Sequence, residues 1–348
     1  MSDLVTIQPP GGKPVKELAV ISGKGGTGKT SMVAAFAALA QSIVLADCDV
    51  DAADLHIVLE PRVLRSEPFI GGKRARIRPD ECAACGKCKE NCRFEAVLLD
   101  GPGNDFVAKT YRVDPLACEG CGVCAFICPV KAIEFGPVVN GEWFISATRF
   151  GPMVHAKLGI AAENSGKLVS TVRSNAKQIA EERGMDLVLI DGSPGIGCPV
   201  IASVTGADLV LVVTEPTPSG LHDLERVAAL TRHFRIPTLV CVNKWDLNPE
   251  VCQRIEASAR QMGLGLAGKV RYDPGVTEAQ IRRKTVIEYQ RDGCATDIRA
   301  VWANIEARLQ TRTPALGNDA EALMRGEYIL KVNHGERAAG VKRRLPWT

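Results

Sequence analysis

The chain is poor in aromatic residues, has almost no excess of either charge, and lacks a long apolar run. Aromatics make up 5% of the 348 residues, too few for the stacking platforms that hold single-stranded nucleic acid. Forty-three Lys and Arg stand against 40 Asp and Glu, a formal net charge of +3. That balance excludes a nucleic-acid or membrane reading driven by bulk charge. The longest apolar stretch, Met32 to Ala46, is interrupted by Gln41 and Ser42 and is too short to span a bilayer. The opening Met-Ser-Asp-Leu-Val lacks the basic segment and apolar run of an export signal. A cytoplasmic location is expected. The segment Lys331–Thr348 is basic but too polar for a membrane-targeting helix, so no stable membrane anchor is expected.

What is present reads as a globular α/β protein. Hydrophobic residues make up 46% and charged residues 24%, the balance of a folded chain. The length fits two compact units or one large α/β domain. Residues 17–22 read as a buried strand, followed by a Gly-rich loop at 23–30 and a helix to about residue 40. A second strand at 42–46 ends in Asp47-Cys48-Asp49, and a short helix near 53–59 stops at Pro61. Residues 62–140 then hold two cysteine runs and little helical periodicity. In 163–183, Leu168, Val169, Val172, Ala176 and Ile179 share one helical face. Strands are predicted at 186–190, 208–213 and 238–242, and Ile298, Val301, Trp302, Ile305 and Leu309 read as core contacts of a late helix. The alternation predicts an α/β fold, a doubly wound and mostly parallel sheet. Residues 1–61 and 141–311 form one domain in this reading, and 62–140 an inserted α+β unit. The extension 312–348 has no assigned role.

Gly23-Lys24-Gly25-Gly26-Thr27-Gly28-Lys29-Thr30 satisfies G-x-x-x-x-G-K-[ST] between a predicted strand and a predicted helix. Glycines let backbone N–H groups turn toward phosphate oxygens, and the helix N-terminus adds partial positive charge. Lys29 is expected to reach the β- and γ-phosphates, and the Thr30 hydroxyl to ligate Mg²⁺. Asn243-Lys244-Trp245-Asp246 follows a predicted strand and has the shape N-K-x-D, a guanine-reading pattern.

Thirteen cysteines are present, and in a reducing compartment clustered cysteines mean metal. Cys82-x₂-Cys85-x₂-Cys88-x₃-Cys92 and Cys118-x₂-Cys121-x₂-Cys124-x₃-Cys128-Pro129 are two copies of the bacterial ferredoxin run. A tight loop presents three thiolates to one cubane, and the fourth points to the other. Cys82, Cys85, Cys88 and Cys128 are thereby assigned to one [4Fe–4S] cluster, and Cys118, Cys121, Cys124 and Cys92 to the second. Zinc is the competing ligand, because C-x₂-C pairs also bind it. Arg93 replaces the proline that follows the second run. Before the first run, Lys73 to Arg78 alternates basic and apolar residues, which fits a solvated strand face or a dock for an acidic redox partner equally.

Lys24, with the loop around it, resembles the variant K-G-G-x-G-K-[ST] loop of the MinD/ParA family of P-loop ATPases. The resemblance implies ATP and Mg²⁺ as ligands, and an ATP-bound homodimer in which Lys24 contacts the neighbouring subunit's nucleotide. Asp47-Cys48-Asp49 resembles the first switch of that family, with Asp49 orienting or deprotonating the attacking water and Asp47 near the Mg²⁺ shell. Asp191-Gly192-Ser193-Pro194-Gly195 resembles the second switch, with Asp191 holding Mg²⁺ through water and the Gly195 N–H sensing the γ-phosphate. An Asn at the place of Asn243 faces adenine in that family, which puts ATP ahead of GTP.

With its cysteine runs, the chain up to about residue 285 resembles MinD-superfamily ATPases that carry an inserted ferredoxin domain. Gly151 to Ala156, Glu163 to Val169 and Thr214-Glu215-Pro216-Thr217 share in the resemblance. It is more distantly similar to the nitrogenase iron protein family, where a cluster-bridging cysteine lies seven residues past the second-switch Asp. Cys198 has that spacing from Asp191, but no cysteine between Cys128 and Cys198 completes such a bridge. Cys198 is expected to be a small packed residue and His155 a packed or hydrogen-bonded one. Cys48, Cys241, Cys252 and Cys294 show no paired spacing. The expected function is an ATPase whose nucleotide-dependent homodimerisation gates electron transfer to a partner metalloprotein. The alternative is an ATP-dependent assembly or carrier factor for iron–sulfur or metal cofactors. A positioning ATPase is the third class, weakened by the lack of a targeting helix.

Overall fold

The computed structural model describes residues 14–50, 53–159 and 165–311. Glu163, Asn164 and the extension 312–348, named above, lie outside the described residues. The first strand, β1 (Lys16–Ser22), is buried from Glu17 onward. The Ala-rich α1 (Lys29–Leu39) follows, then β2 (Ile43–Asp47) and α2 (Leu55–Leu59). A long strand, β3 (Arg62–Ile77), leads away. The cysteine-bearing unit comprises α3 (Lys87–Glu90), β4 (Val97–Gly101), β5 (Thr110–Val113) and α4 (Val123–Ile127), and β6 (Ile133–Ala147) leads back. Next come β7 (Pro152–Leu158), α5 (Ser165–Arg183), β8 (Leu187–Pro194), α6 (Cys198–Val204), β9 (Leu209–Thr214) and α7 (Pro218–His233). The last are β10 (Thr238–Asn243), α8 (Pro249–Gln261), β11 (Gly265–Val270), α9 (Gly275–Ile281), α10 (Val286–Tyr289) and α11 (Cys294–Gln310).

Among the described residues, nine strands form one sheet in the order β11-β10-β9-β1-β8-β2-β7-β6-β3. From β11 to β7 all neighbours are parallel, whereas β6 and β3 add on antiparallel. Alternate residues of the central strands feed two cores. Ala19, Ile21, Val188, Ile190, Val210 and Val212 face α5, α6, α7 and α8. Leu18, Val20, Leu187, Leu189, Leu209 and Leu211 face α1, α2, α9, α10 and α11. Burial on both faces explains why these strands read as continuous apolar runs. The helix caps are encoded locally: Thr217 and Asn248 each accept a backbone N–H, ahead of a proline in the first turn of α7 and α8.

The region expected to be a separate insert is rooted in this sheet. β3 and β6 pair along their whole length, from Arg62 opposite Ala147 to Ile77 opposite Ile133. β7 covers only the base of this ribbon, Gly141 to Ala147. The β3–β6 register breaks on either side of Ile70, opposite Val139, just where pairing with β7 ends. A bulge therefore marks the point at which three strands become two. The expected boundary at residue 140 falls inside β6.

The two cysteine runs belong to a longer repeat. Ala84 (φ 49°) and Gly120 (φ 64°) occupy equivalent left-handed positions, as do Gly86 (φ 80°) and Gly122 (φ 77°) before α3 and α4. Three residues past each run, Glu95 and Lys131 both have φ 53°. Each then leads into a buried alanine, Ala96 or Ala132.

Candidate functional site

The C-terminal ends of β1, β2, β8, β9, β10 and β11 meet along one edge of the sheet, where open α/β sheets bind ligands. The Gly23–Thr30 loop joins β1 to α1 there. Gly25 to Thr30 line a cavity of about 570 Å³ together with Asp49, Asn243, Lys244, Tyr272 and Asp273. Asn243 holds the loop from β10: its Nδ2 donates to the Thr27 carbonyl at 2.8 Å. Gly28 has φ 85°, and a Cβ there would stand 2.4 Å from Asn243 Nδ2, so glycine is required twice over.

Lys29 lies under this loop with its side chain 6% exposed, donating to Asp191 Oδ1 at 2.6 Å and to Asp49 Oδ2 at 3.3 Å. Burial pulls the ammonium pKa down, but Asp191 and Asp49 outweigh it and hold Lys29 above the usual lysine range. Asp47 is fully buried alongside. Burial and the neighbouring Asp191 push its carboxyl well above the usual carboxylate range, against the pull of Lys29. The Asp49 N–H donates to Asp47 Oδ1 at 3.2 Å. Thr27 Oγ1, Asp47 Oδ2 and Asp191 Oδ2 are buried without a hydrogen-bond partner. Such hard oxygen donors, beside a glycine loop and a lysine, suit a divalent cation with phosphate. The Gly195 N–H, expected to sense a γ-phosphate, donates to the Ser22 carbonyl at 2.8 Å.

Lys24 is held within its own chain. Its Nζ donates to Ser219 Oγ at 3.2 Å and Thr217 Oγ1 at 3.4 Å, and pairs with Glu215 Oε2 at 3.6 Å. Lys244 Nζ meets the other oxygen, Glu215 Oε1, at 2.6 Å and the Gly26 carbonyl at 3.4 Å. Sequence reasoning gave Glu215 no role; the available signal was an acid directly after a buried strand at the ligand edge. Asp246, the guanine-reading position of N-K-x-D, does not line the cavity. Its Oδ1 accepts the Tyr272 N–H at 2.7 Å, so the carboxylate a guanine would need is engaged with backbone.

At the far end of the ribbon, Cys82, Cys85, Cys88 and Cys128 line one small cavity, with Ile77 and Ile133. Cys92, Cys118, Cys121 and Cys124 line a second, with Ala75, Val97 and Val113. Among the described residues, no three of His, Cys, Asp or Glu converge in a way that would hold one metal ion; the thiols surround cavities instead. Cys85 and Cys121 are exposed. Of the basic residues between Lys73 and Arg78, Arg78 lies just past β3 and is committed locally, donating to Glu81 at 2.6 Å and to the Lys131 carbonyl at 2.8 Å.

The other singled-out residues separate cleanly. His155 forms a 2.8 Å hydrogen bond with Ser146 and stacks on Phe144, as expected of a packed histidine. Cys198, expected to be packed, is exposed, because α6 begins with it at the surface. Cys48, Cys241, Cys252 and Cys294 are buried.

No helix among the described residues is long and apolar enough to cross a membrane. An uncharacterised protein of Methanocaldococcus jannaschii is 34% identical over 238 residues, 67% of this chain and 80% of that one. The septum site-determining protein MinD of Pyrococcus horikoshii, solved with Mg-ADP, matches with a TM-score of 0.50 at 16% identity, over 84% of this chain and 96% of that one. McdA of Cyanothece, solved without nucleotide, matches with a TM-score of 0.50 at 14% identity, over 85% of this chain and 99% of that one. At these identities the solved structures speak for the fold alone. Residues 18–286 match the CobQ/CobB/MinD/ParA nucleotide binding domain: the chain belongs to that family, with an α/β fold built on a mostly parallel sheet.

Proposed function

We propose that the protein is an ATP-hydrolysing iron–sulfur protein, in which ATP-dependent homodimerisation gates electron transfer to a partner metalloprotein. The observation that carries this reading is the arrangement of the cysteines. Each ribbon cavity is ringed by three cysteines of one run and the fourth of the other. A set of four soft thiolates spread around a void fits a cubane better than a single zinc, which draws its sulfurs to about 2.3 Å from one point. When bound, each cluster supplies a one-electron couple.

The chain's own residues supply the gate. Lys29 can engage a triphosphate only by loosening its hold on Asp191 and Asp49, which frees a carboxylate at each switch. Asp49 then becomes available to orient the attacking water, and Thr30 and Asp47 to face Mg²⁺. The Gly195 N–H must leave the Ser22 carbonyl to reach a γ-phosphate. The first switch leads directly to the ribbon, since Asp49 precedes α2 and β3, and the second leads to it through two helices, since Gly195 precedes α6 and α6 packs on α5. Shifting such an equilibrium from 1:99 to 99:1 requires about 5.5 kcal/mol of differential binding, within reach of several charge-assisted contacts. ATP is favoured over GTP because Asp246 is turned to the Tyr272 backbone.

Anaerobically purified protein is expected to hold about eight iron and eight acid-labile sulfide per chain, to bind ATP more tightly than GTP, and to dimerise with ATP. Stable clusters whose rate of oxidation by an acceptor changes with ATP support the gate. Transfer of the clusters to an apo-acceptor would favour the assembly reading, and zinc in their place, or no affinity for triphosphates, would overturn the proposal.

A further inference from the structure

The pairing of Lys24 with Glu215 bears on a step the reading above leaves open: what keeps the chain monomeric until ATP arrives. We propose that Glu215 is a brake on dimerisation, a positioning residue that parks Lys24 in its own subunit. The inference rests on the proposed role of Lys24 in a neighbouring subunit's site.

Glu215 follows the last residue of β9 and is held there by packing. A Cβ on Gly220 would stand 2.3 Å from the Glu215 carbonyl oxygen, so the turn into α7 closes tightly over it. Its side chain is 15% exposed, and its two carboxylate oxygens are divided between two lysines, Oε2 to Lys24 and Oε1 to Lys244. Thr217 and Ser219 complete the seat for Lys24 with two hydroxyl oxygens. The main chain is held as well: Ser22 Oγ donates to the Lys24 carbonyl at 2.8 Å, and Gly23 leaves no room for a Cβ against Asp223 of α7. The start of the loop is therefore docked against β9 and α7, with the lysine turned inward along it.

A lysine held by one carboxylate and two hydroxyls cannot also reach a second subunit. Release costs that ion pair and both hydrogen bonds, and the phosphates of the opposing nucleotide must outweigh them. Lys244 supplies a second level of control. It touches both Glu215 and the Gly26 carbonyl, so a loop that reshapes around phosphate can pull on the carboxylate holding Lys24. The resting monomer is thus restrained by a contact that nucleotide binding weakens.

The test is Glu215→Gln, which keeps the shape and removes the charge. Two readouts are needed, both on the full chain with its clusters intact. The first is the acylation rate of Lys24 by an N-hydroxysuccinimide ester, followed by peptide mass spectrometry without nucleotide. The second is the ATP concentration at half-maximal dimerisation, from light scattering. Loss of one partly exposed pair corresponds to about a five-fold change. Glu215→Gln is expected to label several-fold faster at Lys24 and to dimerise at about five-fold lower ATP. Lys244→Ala controls for the other pair; as the carboxylate keeps its hold on Lys24, its labelling rate at Lys24 stays near that of wild type. A Glu215→Gln variant that dimerises at equal or higher ATP than wild type, or labels no faster, overturns the brake alone. A wild-type chain that stays monomeric at saturating ATP overturns the functional reading and the brake with it.

Discussion

At the scale of single residues, the nucleotide edge is a problem of buried charge. Lys29 serves Asp191, Asp49 and Asp47, of which Asp47 and Asp191 are almost wholly buried. Truncating one partner of a buried pair costs about 3–5 kcal/mol. Lys29→Ala is therefore expected to lower the melting temperature of the nucleotide-free protein by about 10 °C, on a scale of roughly 2–4 °C per kcal/mol, and to abolish ATP binding. Adding Asp191→Asn should restore part of the melting temperature and none of the binding. Calorimetry without nucleotide checks this, and an unchanged melting temperature for Lys29→Ala would show that the cluster neutralises itself by taking up a proton. His155 gives a separate pH signature. Burial, helped by the charge of His56, lowers its pKa from 6.5 to about 4. The unfolded chain then binds the extra proton, so the stabilisation is complete above pH 6.5 and is lost as pH falls toward 4. His155→Gln, which can still bond Ser146, should flatten the stability profile in that window, by about 1–3 kcal/mol at its lower end. Denaturant titrations at pH 7 and pH 4.5 compare the two, and parallel profiles would reject this assignment.

At the scale of elements, the glycines of the cysteine runs set what each site can accept. Ala84 and Gly120 share one left-handed conformation, so the backbone geometry alone does not demand glycine. The difference is proximity: a Cβ on Gly120 would stand 2.2 Å from the Lys73 carbonyl oxygen. Gly120→Ala must therefore push the second run off β3. It is expected to reduce iron and sulfide to about half of wild type, losing the site of Cys92, Cys118, Cys121 and Cys124 and sparing the other. Metal analysis with electron paramagnetic resonance of the reduced protein checks this, and full occupancy would show that β3 yields instead. The same elements show what was legible beforehand. The phosphate loop, the strand-end aspartates and the central strands are written in adjacent residues, so spacing and apolar runs reveal them. The ribbon was hidden because β3 and β6 carry Gly71, Gly72, Gly136 and Gly141 and a mixed burial pattern. β11, reading GLAGKV, is too glycine-rich and short on apolar residues to announce itself. The contact of Asn243 with Thr27 spans 216 residues, and that of Lys24 with Ser219 spans 195; only the folded sheet edge brings them together.

At the scale of the whole molecule, the proposed gate requires an event at the P-loop to reach cysteines on a two-stranded ribbon. A packed route exists. The second switch ends in Pro194 and Gly195, and α6 starts three residues later at Cys198. Gly166 of α5 lies so near that a Cβ there would be 3.2 Å from Cys198 Cβ. The next residue, Lys167, donates to the Ile70 carbonyl at 3.1 Å and sits over the Phe69 ring at 5.9 Å. Ile70 is the bulge at which the ribbon parts from β7. A shift of the second switch would therefore move α6, press on α5 and act on the ribbon at its hinge. Coupling of this kind needs a two-state element that both ends bias, and the bulge has the right place for it. Lys167→Met keeps a side chain of similar length and removes both the ammonium over the Phe69 ring and the hydrogen bond to Ile70, together worth about 1 kcal/mol or a five-fold shift in a two-state balance. The variant is expected to hydrolyse ATP and dimerise within about two-fold of wild type. Its ATP-induced change in hydrogen exchange at residues 69–72, and in the rate of cluster oxidation, should shrink about five-fold. If ATP alters exchange at the bulge equally in both proteins, the signal travels by another path, and α2, which joins Asp49 to the base of β3, becomes the element to cut next.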